Sequence, residues 1–112
     1  MGYDLHVTRK EFWADESGPT ISLDEWVAYV SSDGQLEADH ENPGPENAVF
    51  AAHGERWPLW WDSRGEVLTK NPDPLVVAKL VQIAKALNAR VLGDDGEIYG
   101  VDPLDPTKYE ES

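Results

Sequence analysis

The chain has no cysteine among its 112 residues, which removes disulfide staples, thiolate zinc sites and cysteine nucleophiles together. It has no run of apolar residues near the roughly 20 that a membrane span requires. Its opening, Met1-Gly2-Tyr3-Asp4-Leu5-His6, lacks both the basic segment and the apolar run of a signal peptide. Gly2 could suggest myristoylation, but His6 stands where that motif needs serine or threonine. A cytoplasmic location is therefore expected. Between Glu11 and Glu55 there are eleven carboxylates and no lysine or arginine, whereas Arg56 to Arg90 carries six basic residues against three acids. The formal net charge is −13. Such a field repels nucleic acid and anionic lipid and speeds encounter with a basic protein, an effect that salt weakens. The expected partner is thus a basic protein, with no role for nucleic acid or membrane; the competing reading of the charge is solubility alone.

Apolar residues make up 40% of the chain and five tryptophans are spread through it, so a disordered acidic chain is excluded on composition. The length suits one core, since two halves would each bury too little apolar surface to offset chain entropy. Tyr3, Leu5 and Val7 alternate with Asp4, His6 and Thr8 and predict a strand over 3–9 with one buried face. Residues 11–20 read as a loop, with Phe12 and Trp13 in need of apolar surroundings. Ser22 and Glu25 form a capping box, Ile21 and Trp26 occupy staple positions, and Leu23, Trp26, Val27 and Val30 make one stripe of a helix ended by Asp33-Gly34. Residues 35–46 read as an exposed acidic loop with a short strand near Leu36, interrupted by Pro43-Gly44-Pro45.

A strand over 47–53 is followed by one over 57–61, a turn at Asp62-Ser63-Arg64-Gly65 and a return over 66–70. Pro58 suggests that its strand begins there or lies at an edge. Asp73-Pro74 caps a second helix, with Val76, Val77, Leu80, Ile83, Ala84 and Leu87 inward and Lys79, Gln82 and Lys85 on the wet side. Residues 90–93 and 97–101 bracket a hairpin turn at Asp94-Asp95-Gly96. The predicted fold is α+β, a mainly antiparallel sheet of about five to six strands with two amphipathic helices on one face. It forms a single domain over 1–101, with 102–112 a loose acidic tail.

No pattern for catalysis or for a cofactor emerges. His6, His40 and His53 are far apart in sequence and outside any helical metal motif, so each reads as structural or superficial, and no metal ligand is assigned. Ser63 lacks the flanking glycines of a nucleophile elbow. Gly93-Asp94-Asp95-Gly96 sets carboxylates where a phosphate loop needs free amides, and it lacks the ligand alternation of an EF-hand. Paired carboxylates beside tryptophans suit glycoside chemistry in principle, but no particular pair stands out among 22 acids. Glu37, Asp39, Glu41 and Glu46 make the best candidate patch for a basic partner, with Trp60 as an anchor. An alternative is a carbohydrate- or small-ligand-binding module using exposed tryptophans.

The opening Gly2-Tyr3-Asp4-Leu5-His6-Val7-Thr8-Arg9, the helix start Ile21-Ser22-Leu23-Asp24-Glu25-Trp26 and the stretch from Leu80 to Tyr99 resemble a group of small bacterial acidic proteins. In size and charge the chain also resembles immunity proteins, the antidotes encoded beside interbacterial toxins. That second resemblance implies a non-catalytic cytoplasmic inhibitor that occludes the basic active site of a cognate toxin, and it carries over no individual residues.

Overall fold

The computed structural model describes residues 3–102, 104–105 and 107–111. Its elements run β1 (Asp4–Thr8), α1 (Leu23–Ser32), β2 (Leu36–Ala38), β3 (Asn47–Ala52), β4 (Glu55–Asp62), β5 (Glu66–Lys70), α2 (Pro74–Ala86), β6 (Arg90–Gly93), β7 (Ile98–Tyr99) and β8 (Tyr109–Glu110). The strands form one sheet in the order β2-β3-β4-β5-β1-β6-β7-β8. Every pairing is antiparallel. The α+β class and antiparallel sheet agree with the sequence pattern. Among the described residues the strand count rises to eight: the short segments expected near Leu36 and after Asp94-Asp95-Gly96 both join the sheet as β2 and β7, and β8, too brief to leave a periodic signature, adds one more at the margin. β8 brings the tail after Asp102 back to the sheet edge, where Tyr109 pairs with Tyr99.

Side chains alternate between the two faces of the sheet. Leu5, Val7, Leu36, Phe50, Leu59, Val67 and Val91 share a buried cluster with Trp26 of α1 and with Val76, Val77, Leu80, Ile83 and Leu87 of α2. Both helices therefore cover the same face. The capping box of α1 is present as the sequence suggests, with Ser22 Oγ accepting from the Glu25 backbone N–H and the Glu25 carboxylate accepting from the Ser22 N–H. Asp73 caps α2, with Pro74 at its first position.

α1 ends at Asp33-Gly34 as the sequence suggests: Asp33 leaves the helix in extended conformation, φ −104°, and its N–H bonds Val30 C=O. Two local expectations need correction. Pro58 lies in an interior strand, opposite Val49 of β3. The β4–β5 ladder begins two residues later at Trp60, and the Pro58 carbonyl accepts from Thr69 Oγ1 at 2.8 Å, so a side-chain hydroxyl replaces a ladder bond at that point. Lys79 is not on the wet side of α2. It is 3% exposed, with Nζ 2.7 Å from Asp33 Oδ2, 2.8 Å from Gln35 Oε1 and over the Phe50 ring. A long side chain on the flank of an apolar stripe can lie along the core and deliver its charge to a partner at the end of another element.

The second face of the sheet carries His6, Thr8, Glu66, Leu68 and Leu92, all buried. The loop of residues 9–20 crosses it. Arg9 donates to Leu87 C=O and Thr20 C=O and pairs with Glu25; buried Lys10 donates to Asp15 C=O. The loop is clamped at its far end where Ile21 N–H meets Gly65 C=O at 2.8 Å. Gly65 takes φ +80°, and a Cβ there would collide with Thr20, so this turn requires glycine both for conformation and for room.

Candidate functional site

The four carboxylates singled out from the sequence lie along one stretch of chain, but they do not form a uniform patch. Glu37 is exposed on β2 and is paired with Arg56 Nη1 at 2.5 Å. Asp39 is 8% exposed and is committed to its own loop, accepting from the backbone N–H groups of Glu41 and Asn42 and from Asn42 Nδ2. Those bonds, with the Asn42 amide foremost, hold its carboxyl below the usual range. Glu41 is exposed, and Glu46 is half-buried beside Asn47. Trp60 is half-buried rather than projecting, in a depression of about 370 Å³ shared with Arg56, Pro58 and Lys70. Next to the acidic loop, a groove of about 460 Å³ opens between α1 and β2, lined by Val27, Val30, Leu36 and Pro45 with Asp33 and Glu37 on its walls. Burial alone would raise the Asp33 carboxyl, but the Lys79 ammonium, the Tyr29 hydroxyl and the Gln35 N–H prevail and hold it below the usual carboxylate range.

A second cluster, assembled from distant parts of the chain, lies on the loop-covered face. β1 sits between β5 and β6, and His6 faces Leu68 on one side and Leu92 on the other. Along the strand direction its ring meets a carboxylate at each end. His6 Nδ1 is 2.9 Å from Glu66 Oε1 and Nε2 is 2.9 Å from Asp94 Oδ1. Burial alone would lower the imidazole, yet the hydrogen bonds to Glu66 and Asp94 outweigh it and hold the ring above its ordinary value. Trp13 stacks flat on His6 with centroids 4.0 Å apart and planes within 3°. Its indole N–H donates to Asp94 C=O, and the Arg64 guanidinium lies over the indole. Arg64 also reaches Glu66 Oε1 at 3.3 Å.

Glu66 is 1% exposed, and its second oxygen, Oε2, has no hydrogen-bond partner among the described residues. Asp4 lies two positions before His6 on the same strand, and its backbone N–H donates to Asp94 Oδ2. The ligand atoms of Asp4, His6 and Asp94 lie within 4.8 Å of one another. None of these residues was assigned a role from sequence. The one readable signal was Asp4-x-His6, since a two-residue step on a strand sets both side chains on one face; Glu66, Asp94 and Trp13 join it only through strand order and the loop.

The class defined by these observations is an α+β protein with two helices on one face of a single antiparallel sheet and an ion-paired histidine under a loop on the other. Comparison with known protein families, with curated proteins and with solved structures finds no match to this chain. Among the described residues no helix is long and apolar enough to cross a membrane.

Proposed function

We propose that the protein is a non-catalytic binding protein of the immunity type, which inhibits a cognate bacterial toxin by occluding its basic active site. The observation that carries this reading is the groove between α1 and β2, with an apolar floor of Val27, Val30 and Leu36 and walls that include Asp33 and Glu37. It opens beside a segment, residues 11–55, that has no lysine or arginine. The apolar floor suits a partner that inserts an aliphatic side chain, since Asp33 and Glu37 are already paired with Lys79 and Arg56, and the surrounding field would steer a basic surface toward it. Glu37, Glu41 and Glu46 supply the rim in this reading, and Asp39 shapes the loop that presents Glu41.

A non-catalytic role also fits the one histidine held in a defined network. Both of its ring nitrogens lie against carboxylates, Glu66 at Nδ1 and Asp94 at Nε2, which suits a structural place for the ring. The alternative, a carbohydrate-binding module, has less support, because such modules present aromatic platforms and each of the five tryptophans here is buried or half-buried.

The test is association with a basic toxin domain encoded beside this gene. The association rate should fall by tenfold or more between about 50 mM and 500 mM salt. The double reversal E37K/E41K should slow association with little change in the fold. A rate indifferent to both salt and charge reversal would remove the basis of the proposal.

A further inference from the structure

The loop-covered cluster carries more negative charge than its cations balance. Glu66, Asp94 and Asp4 contribute three carboxylates around a single imidazole, and the half-exposed guanidinium of Arg64 is shared with Asp62 at 3.0 Å. Even with the ring doubly protonated, negative charge is left over. The most enclosed member, Glu66, is aimed at the imidazole with one oxygen while the other lacks a partner. An orphaned buried carboxylate oxygen is costly, and a native fold keeps one where something else compensates the charge.

The order Glu66–His6–Asp94 also has a direction. A histidine that ligates a metal through one nitrogen almost always donates its other N–H to a carboxylate, which fixes tautomer and ring orientation. Here buried Glu66 fills that role at Nδ1, and Nε2 faces the more exposed side, where Asp94 and Asp4 meet. The 2.9 Å between Nε2 and Asp94 Oδ1 is a hydrogen-bond distance, and it would open to about 3.4 Å as an ion about 2.1 Å from each takes the proton's place in a tetrahedral shell. Asp94 is 35% exposed at its side chain, so an ion has an entry path and water can complete its shell.

We infer that Asp4, His6 and Asp94 form a binding site for a divalent transition cation of the zinc class, with Glu66 as the positioning residue behind His6. One imidazole and two carboxylates, without thiolate, suit zinc or its first-row neighbours better than calcium or magnesium, which favour all-oxygen shells. The ion takes the place of the Nε2 proton, leaves a neutral imidazole, and reduces the negative charge of the cluster. It ties β1 to the β6–β7 turn beneath Trp13 and so has a structural role that is independent of the acidic groove.

The experiment is a calorimetric titration of the chelator-treated full chain with Zn²⁺, in an H40Q/H53Q background that removes the two exposed histidines. One equivalent should bind at neutral pH. D94N and D4N alter half-buried side chains, and circular dichroism checks that they fold. Each should weaken binding at least tenfold. E66Q should weaken it about 10–100-fold while keeping the stoichiometry, as loss of an orienting carboxylate does. Millimolar Ca²⁺ should not displace the ion. Absence of a stoichiometric site, or a site whose affinity is the same in folded D94N and D4N, overturns the inference.

Discussion

Lys79 offers the sharpest test of how this fold handles charge. Its ammonium is 2% exposed at the side chain and faces Asp33, itself 10% exposed, so K79M keeps most of the packing volume and removes only the charge and its donors. Breaking a buried pair from one side typically costs about 3–5 kcal/mol, because the other charge is left without compensation. Asp33 keeps the Tyr29 hydroxyl at 2.7 Å and the Gln35 N–H at 2.9 Å, so the cost should fall at the lower end, about 3 kcal/mol. For a domain of this size that lowers Tm by about 10–20 °C. Adding D33N to K79M removes the stranded charge, keeps an oxygen for the Gln35 N–H and lets the new amide N–H donate to the Tyr29 hydroxyl oxygen, and should recover about 2 kcal/mol. Urea unfolding followed by tryptophan fluorescence reads K79M, D33N and the double variant. A loss below about 1 kcal/mol in K79M, or a double variant as unstable as the sum of the singles, would refute the reasoning by showing that the pair behaves as a solvated surface bridge.

Three further outcomes follow from the structure. W13A should cost about 2 kcal/mol, since a half-buried indole loses its stack on His6 and its bond to Asp94; amide exchange of residues 10–20 should accelerate, and unchanged protection there would show that the loop is held by other contacts. G65A should cost about 2 kcal/mol or more from the left-handed backbone and the clash with Thr20, and a neutral result in thermal melts would contradict the close approach. In acid, hydrogen bonding to Arg9 holds Glu25 down to about 2. A depressed folded value gives stability that is present above the unfolded carboxylate value near 4 and is lost as the pH falls toward 2. The wild type should therefore lose more stability than E25Q between pH 5 and pH 2 in urea titrations, and parallel pH profiles would count against the Arg9–Glu25 pair.

Local signals carried far along this chain. The capping box at Ser22 and Glu25, Asp73-Pro74 ahead of α2, and the alternation from Tyr3 to Thr8 each depend on neighbours within a few residues, and each element formed where those signals lay. What stayed hidden depended on the order of strands. His6, Glu66 and Asp94 are separated by 60 and 88 positions from the histidine outward, and only the insertion of β1 between β5 and β6 makes them neighbours. Lys79 misled for a related reason: helical periodicity gives the direction of a side chain's root, whereas its charge ends four carbons away beside Asp33. Pro58 misled because Thr69 supplies a bond that no strand rule anticipates. The acidic patch was legible as composition, but not that Asp39 would turn inward to organise its own loop or that Glu37 would find Arg56.

The two margins of the sheet are its shortest segments on either side, with three residues in β2 and two in β8. Each also bears a carboxylate, Glu37 on one and Glu110 on the other. An open sheet invites a neighbouring molecule to extend it by one strand, and stacking of that kind needs a long, flat, neutral border. Here an incoming copy would find too few free peptide groups to register against, and would bring a like charge to the same place. Among the described residues both borders of the sheet are thus poor templates for the addition of a further strand.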